Sequence, residues 1–148
     1  MSCVFCDIVA GRAPAALVWE DETCIALMDL YPLREGHVLV IPRRHAPLLN
    51  DLPAAERDHL FAVACRVIAA QRAIGLHADG ANLLVNDGAP ANQHVPHVHV
   101  HLVPRQGQDL GAIALRFGTR FLNPFGLARR RRALELLAAR LARAMSPA

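Results

Sequence analysis

The strictest pattern in the chain is an alternation of histidine with apolar residues over residues 97–103, which read His-Val-His-Val-His-Leu-Val. Successive side chains of a β-strand point to opposite faces. The alternation therefore predicts a strand with His97, His99 and His101 on one face, spaced by about 6.6 Å. The intervening apolar residues would face the core. A slip of one residue would bury three imidazoles, so the register of this strand should be strongly fixed.

Four shorter apolar segments, bounded by turn residues, predict further strands. Pro32 and Gly36 break the chain before one of these segments, and Pro42 closes it. The predicted strands are residues 16–19, 23–28, 37–41 and 81–86.

Two longer segments carry apolar residues at helical spacing and predict helices over residues 53–72 and 127–145. Asp51 is placed to cap the first of them. A short helical turn is expected over residues 3–9, ending at Gly11. The first long helix should bury Leu60, Phe61, Ala64, Val67 and Ile68. The second should bury Leu134, Leu137, Ala138, Leu141 and Met145.

The order of these elements predicts an α+β fold. Strands and helices do not alternate as βαβ units, so the sheet should be antiparallel, with about five strands, a long central helix and a C-terminal helix. The 148 residues contain no internal repeat or dividing linker and suit one domain. We expect a core over about residues 3–105 and a C-terminal extension with its helix over about residues 106–148.

The composition limits the catalytic mechanisms and the ligands that suit this chain. All 16 basic residues are arginines, which excludes mechanisms that need a lysine, such as Schiff bases or a P-loop lysine. The net charge of +3 suits small anions such as phosphates. The chain shows no signal peptide and no apolar run of the about 18 residues that span a membrane. The sequence therefore predicts a cytoplasmic protein with reduced cysteines and no membrane partner.

Three imidazoles on one strand face have three interpretations. They form a solvated surface, they bind a catalytic zinc ion, since His-x-His on a strand is also metal-ligand spacing, or they carry out covalent catalysis. Neutral imidazole is a good nucleophile near neutral pH, and a phosphorylated histidine is a good leaving group.

The cysteine pair Cys3-x-x-Cys6 is half of a zinc site. The alternative is a reduced pair without metal. A redox role is disfavoured, because no thioredoxin-like βαβ pattern surrounds the pair. Cys24 and Cys65 are interpreted as buried packing residues.

The chain resembles the histidine-triad (HIT) family of nucleotide hydrolases and transferases, in its bacterial type with an N-terminal CxxC. Residues 97–103 match the motif H-φ-H-φ-H-φ-φ, where φ is apolar, at every position. Asn86-Asp87-Gly88 and Gln93 precede it, and Pro104-Arg105 follow. Three N-terminal segments also match in order and spacing, so the resemblance covers about residues 3–105. They read C-V-F-C-D-I-V-A-G-R-A-P, A-L-M-D-L-Y-P-L and G-H-V-L-V-I-P-R-R-H.

The resemblance implies a homodimer whose sheet continues across the interface. It also implies cleavage of a phosphoanhydride or phosphoramidate bond at the α-phosphate of a nucleotide, without a catalytic cofactor. The triad His97, His99 and His101 would form the catalytic set. Within it, His99 would be the nucleophile that forms a nucleotidyl-histidine, and His101 would bind the phosphate.

The resemblance also implies which residues bind the nucleotide and which bind a metal ion. Asn86 and Gln93 would donate hydrogen bonds near the phosphate, Asp29 would hold the ribose hydroxyls, and His37 would support the site. The base pocket would be lined by Val4, Phe5, Ile8, Leu27 and Leu30. A structural zinc ion would be bound by Cys3, Cys6, His45 and His97.

Several questions stay open at the level of the sequence. The enzyme alternative is a zinc-dependent hydrolase that uses the triad as ligands. The non-enzyme alternative is a nucleotide-binding or sensing module. His94 stands where relatives usually carry a small polar or acidic residue, which leaves the leaving group and the fourth zinc ligand open. The arginines at 129–132 are interpreted as a solvated helix start rather than a nucleic-acid site. We also consider that they, with Arg116 and Arg120, contact a polyphosphate tail.

Overall fold

Five strands form one antiparallel sheet in a computed structural model that describes residues 3–76, 79–107, 109–119 and 127–146. Along the sheet their order is β1-β2-β3-β5-β4. The predicted α+β fold with an antiparallel sheet is confirmed. The strands are β1 (Leu17–Glu20), β2 (Cys24–Met28), β3 (Val38–Pro42), β4 (Gly80–Val85) and β5 (Val100–Arg105).

The helices include both long helices that the apolar periodicity predicts. They are α1 (Val4–Val9), α2 (Ala54–Ala73), α3 (Leu110–Thr119) and α4 (Leu127–Met145). The sequence analysis did not predict α3. Arg120, which the sequence analysis considered for contact with a polyphosphate tail, lies outside the described residues. No helix among the described residues has both the length and the apolar character needed to cross a bilayer.

The sheet separates two apolar clusters. The larger lies between the sheet and the helices α2 and α4, and it includes Val100 and Leu102 of β5 with Leu60 and Leu141 of the helices. The smaller lies on the opposite face, where Phe5 of α1 packs against the strands. The face under α1 is therefore only partly filled, which leaves room there for a cavity.

The predicted apolar face of α4 is buried, but that of α2 needs correction. Phe61 retains 38% of its exposure and Cys65 is exposed, although both were expected in the core. The buried stripe of α2 passes through Val63 instead, which is two residues from each of them and therefore on nearly the opposite side of the helix, at about 100° per residue. Cys24 is buried, as predicted.

Asp51 does not cap α2. It lies in a 3₁₀ turn (Leu49–Asp51), where its carboxylate accepts a hydrogen bond from the Leu48 amide at 2.9 Å, and Pro53 holds the position before α2.

The histidine strand begins at Val100, not at His97 as predicted. Pairing with β3 and β4 ends at Val100, so the preceding residues have no strand partners there. An amide–carbonyl hydrogen bond from Val98 to Ala46, 2.8 Å long, fixes this segment beside the sheet. The alternation persists outside the strand, since Val98 and Val100 both lie in the larger core and the histidines face the other way.

Two hydrogen bonds tie α4 to α2. Arg140 donates to the carbonyl of Ile74 at 3.1 Å, and Arg66 donates to the carbonyl of Met145 at 3.2 Å. The C-terminal end of α4 therefore lies beside the middle of α2, so the two helices run in opposite directions. Helix α4 also packs against β1 and β2, at one side of the sheet.

Candidate active site and metal centre

A cavity of about 410 Å³ opens on the face of the sheet covered by α1. Its walls bring together most of the side chains that the sequence singled out. Among its lining residues are His99, His101, Asp29, Asn86, Val4, Phe5, Ile8, Leu27 and Leu30. His97 and Gln93 are not among them.

One end of the cavity is an apolar slot. Helix α1 supplies Val4, Phe5 and Ile8 on one side, and β2 and β3 supply Leu27 and Leu39 on the other. A slot walled by flat and branched apolar side chains suits a planar apolar group whose polar end reaches the histidines.

His99 borders this cavity in a defined tautomer. Its Nδ1 lies 2.7 Å from the carbonyl oxygen of His97, and a carbonyl only accepts, so Nδ1 carries the proton and donates. The lone pair of the neutral ring is then on Nε2. The ring packs edge-on against Phe5, with centroids 5.2 Å apart, and it retains 6% of its exposure. These contacts orient the imidazole that faces the cavity.

A hydrogen bond from His37 determines which nitrogen of His101 carries the proton. His37 is fully buried. The Leu33 amide donates to His37 Nδ1 at 3.1 Å, so His37 carries its own proton on Nε2. His37 Nε2 lies 3.0 Å from His101 Nδ1 and donates to it. A neutral His101 is therefore protonated at Nε2 and presents an N–H donor.

Asp29 also approaches His37, but the two do not form an ion pair. Its Oδ2 is 3.4 Å from His37 Nδ1, and the Leu33 amide already occupies that lone pair, so both atoms are acceptors. The other carboxylate oxygen accepts a hydrogen bond from the Tyr31 amide at 2.8 Å. Asp29 is thus fixed at the end of β2, on the wall of the cavity.

The loop between β4 and β5 forms the opposite wall. Asn86 donates to the carbonyl of Asn92 at 3.3 Å, and Asn92 adopts a left-handed backbone with φ 67°. Gln93, expected to face a phosphate, accepts from the Gly88 amide at 2.9 Å and donates to the Pro47 carbonyl at 2.7 Å. In this structure it braces the loop, while Asn92 and His94 line the cavity.

Helix α4 supplies part of the wall with Arg131, Leu134 and Glu135. Sequence reasoning considered Arg131 only as one of the run 129–132, and it missed Leu134 and Glu135 as cavity residues. The periodicity of α4 predicted its buried face correctly. No local signal indicated that this helix would lie against the β1–β2 end of the cavity.

Cys3, Cys6, His45 and His97 form a compact group whose candidate ligand atoms all lie within 4.8 Å of one another. Cys6 Sγ is 3.3 Å from His45 Nδ1 and 3.6 Å from His97 Nδ1, and Cys3 Sγ is 3.5 Å from His97 Nδ1. Tetrahedral zinc bonds of about 2.3 Å to sulfur and 2.0–2.1 Å to nitrogen place a sulfur about 3.5 Å from a nitrogen. The spacing and the donor set both fit a zinc ion.

Hydrogen bonding and burial prepare His97 as a ligand. Its Nε2 donates to the carbonyl of Pro42 at 2.9 Å, which leaves the lone pair on the Nδ1 that faces the cysteines. Burial lowers the pKa of His97 and favours the neutral ring that a metal requires.

The triad is therefore divided between two sites. His97 belongs to the cysteine group, whereas His99 and His101 line the cavity. Within the described ranges, no group of potential metal ligands contains two triad histidines, and none contains His99. This arrangement disfavours the alternative in which the triad jointly binds a catalytic zinc ion.

The fold, the divided triad and the cavity together define a histidine-triad protein. The chain belongs to the HIT domain family, whose sequence model matches residues 10–108.

Two kinds of relative stand out. An uncharacterized HIT-like protein of Mycobacterium tuberculosis is 41% identical over 114 residues, which is 77% of this chain and 78% of that protein. A protein of Saccharomyces cerevisiae named adenosine 5′-monophosphoramidase is 35% identical over 76% of this chain and 68% of its own length.

Among solved structures, a Zn-bound histidine triad family protein from Mycobacterium smegmatis matches with a TM-score of 0.76 and 40% identity. The match covers 97% of this chain and 98% of that one, so the likeness includes the C-terminal helix.

Proposed function

We propose that this protein is a nucleotide hydrolase that cleaves the bond between an α-phosphate and its leaving group through a nucleotidyl-histidine intermediate. The observation that carries the proposal is His99, with its lone pair on Nε2, at the wall of the cavity beside the N–H donor of His101. A nucleophile and a phosphate-binding donor therefore adjoin a slot of nucleotide size.

The nucleoside would occupy the other end of the cavity. The base would insert between α1 and the sheet, against Phe5 and Leu27, and Asp29 would accept hydrogen bonds from the ribose hydroxyls. This pose directs the 5′-phosphate toward His99 and His101.

In the first step His99 Nε2 bonds to the α-phosphorus and the bond to the leaving group breaks, while the leaving group takes up a proton from water at the cavity mouth. In the second step water attacks the same phosphorus, the bond to His99 breaks, and the nucleoside monophosphate and a proton are released. His101 Nε2–H would donate to a non-bridging phosphate oxygen as charge builds up in both steps.

Zinc would have a structural role in this scheme. Cys3, Cys6, His45 and His97 would hold it, and a closed set of four protein ligands leaves no position for a substrate. The ion would secure the N-terminal segment and the His97 backbone that orients His99.

The cavity wall favours a leaving group with little negative charge. Among the described lining residues on the β4–β5 side, the polar ones are Asn86, Asn92, His94, His99 and His101. The described arginine of the lining is Arg131, which α4 supplies near β1 and β2. Among the residues that the structure describes, a polyphosphate leaving group would meet no arginine on the phosphate side of the cavity lining, so we expect a phosphoramidate to be preferred.

A substrate panel tests this function. We expect kcat/KM for a nucleoside 5′-phosphoramidate to exceed that for a diadenosine polyphosphate by at least about tenfold, which is a difference of 1.4 kcal/mol in transition-state stabilisation. Brief EDTA treatment should not abolish turnover. A preference for the polyphosphate would refute the leaving-group assignment. Immediate loss on chelation with rescue by zinc would support the metal-dependent alternative, and background rates with tight nucleotide binding would support a sensing module.

We also propose a homodimer joined through β4, the strand at one edge of the sheet. Leu83 and Leu84 lie on its two faces and retain 39% and 45% of their exposure, which is unusual for an unprotected edge. The opposite edge, β1, is shorter, has an irregular register and is covered by α4. Continuation of the sheet through β4 of a second copy would bury both leucines.

Sedimentation equilibrium tests the dimer. The wild type should sediment at twice the chain mass, and Leu84→Glu should sediment at the mass of one chain. Leu136→Glu, at a residue of α4 with 66% exposure, is the matched control and should remain dimeric. A monomeric wild type, or dissociation by the control substitution alone, would contradict this interface.

A further inference from the structure

Helix α4 presents two oppositely charged side chains at the cavity that the proposed mechanism does not use. Arg131 and Glu135 are four residues apart, so they lie on the same face of the helix, with Cβ atoms about 5–6 Å apart. Both are exposed and both line the cavity. Within the described part of the chain, neither forms an ion pair or a hydrogen bond.

The topology places this pair at the nucleoside end of the cavity. Helix α4 packs against β1 and β2, at one side of the sheet. His101 lies on β5, and Asn86 follows β4, at the other side. The suggestion that arginines of this region contact a polyphosphate tail therefore does not fit for Arg131, because the phosphate end lies across the sheet.

The backbone that carries the pair is well fixed. Leu134 lies between the two charged residues in sequence, and with Leu137 and Leu141 it is buried in the larger core. The hydrogen bond from Arg140 to the Ile74 carbonyl anchors the same helix to α2. The Cα positions of the pair beside a bound ligand are therefore fixed, and the ligand itself would supply the hydrogen bonds that order the two side chains.

We infer that Arg131 and Glu135 read the base of the bound nucleotide and select guanine over adenine. The inference rests on the proposed function in so far as the cavity holds a nucleotide. Guanine offers two neighbouring acceptors, O6 and N7, which match the paired N–H groups of a guanidinium. On the adjoining edge, its N1–H and N2–H groups are two neighbouring donors that match a carboxylate.

Adenine does not match this pair in the same way. Where guanine has the O6 acceptor, adenine has the N6 amino donor, which faces the guanidinium with the wrong polarity. Its N1 is an acceptor, so a carboxylate beside it gains no second hydrogen bond. One base therefore satisfies both charged side chains, and the other leaves part of each unmatched, which is how a polar site discriminates between similar ligands.

Equilibrium binding by calorimetry measures the effect directly, with GMP and AMP as the ligands. The wild type should bind GMP about tenfold more tightly than AMP, within the range expected for a paired polar contact. Arg131→Met and Glu135→Gln should each reduce the ratio to within about twofold. Arg132→Met, at the neighbouring exposed arginine outside the cavity lining, is the matched control and should keep the wild-type ratio.

A kinetic measurement separates base reading from leaving-group effects. With guanosine 5′-phosphoramidates of two different amines, the ratio of kcat/KM values between the amines should be the same in the wild type and in both variants. Equal affinity for GMP and AMP, a preference for AMP, an equal effect of Arg132→Met, or a changed amine ratio would each overturn the inference. Failure to bind either nucleotide would overturn it together with the proposed function, whereas turnover without base discrimination would overturn the inference alone.

Discussion

Substitution of His99 by asparagine is expected to lower kcat/KM for a nucleoside phosphoramidate by at least about 10³-fold, the scale on which removal of a covalent nucleophile acts. Asparagine retains a polar side chain of similar reach but has no basic nitrogen to bond to phosphorus. The proposed contacts with the base and the ribose involve Phe5, Leu27 and Asp29 and not His99, so the variant should keep its affinity for a nucleoside monophosphate.

The intermediate itself supplies the second part of this test. Rapid mixing of the wild type with substrate, followed by quenching at alkaline pH and intact mass measurement, should show one added nucleoside monophosphate, and the variant should show none. His59→Asn is the matched control, since His59 lies on α2 outside the cavity lining, and it should behave as wild type. Near-normal turnover by the His99 variant would remove the basis of the mechanism.

Substitution of Cys6 by serine should produce the largest change in stability. Cys6 Sγ lies near both imidazoles of the four-residue group, so its loss removes the ligand at the centre of the set. If zinc contributes about 2–3 kcal/mol to the free energy of unfolding, Tm should fall by about 5–10 °C in a domain of this size. Metal analysis should show about one zinc per wild-type chain and little in the variant.

The chain contains its own control for this experiment. Cys65→Ser removes an exposed thiol of α2 far in sequence from the group, and it should leave both zinc content and Tm unchanged. Burial and the neighbouring Cys3 raise the pKa of Cys6 in the metal-free protein, so zinc binding should release protons that calorimetry in buffers of different ionisation enthalpy can count. If the wild-type protein contains no zinc and its Tm is no lower than that of a zinc-supplemented sample, the group is only a thiol pair.

Much of the fold could be predicted because its elements bury apolar residues with a clear period. The α4 stripe from Leu134 to Met145 is an example, and it is buried as its spacing required. The errors arose where tertiary contacts decide the outcome. Phe61 stays exposed because Val63 is buried in its place, and β5 starts at Val100 because its pairing with β3 and β4 goes no further, although β3 itself continues to Pro42. A strand boundary depends on residues distant in sequence, so local periodicity does not fix it.

The candidate site could be predicted in part for a similar reason. The motif indicated His99 and His101, and the structure places both at one cavity with Asp29. The position of Gln93 depends on how the β4–β5 loop packs, and the position of Glu135 at the cavity depends on how α4 packs against the sheet. The residue spacing within either segment does not determine this packing. The roles of these residues in catalysis and binding stay predictions.

His97 has a consequence that reaches beyond its own site. The His97 ring belongs to the cysteine group, and the His97 carbonyl accepts a hydrogen bond from Nδ1–H of His99. One residue therefore links the candidate metal centre to the cavity. A displacement of the ring by the loss or exchange of a bound ion would tilt this peptide group and loosen the orientation of the reactive imidazole. Under the proposed structural role of zinc, slow loss of the ion would lower the fraction of molecules able to turn over, whereas an exposure to EDTA too brief to remove the ion would not.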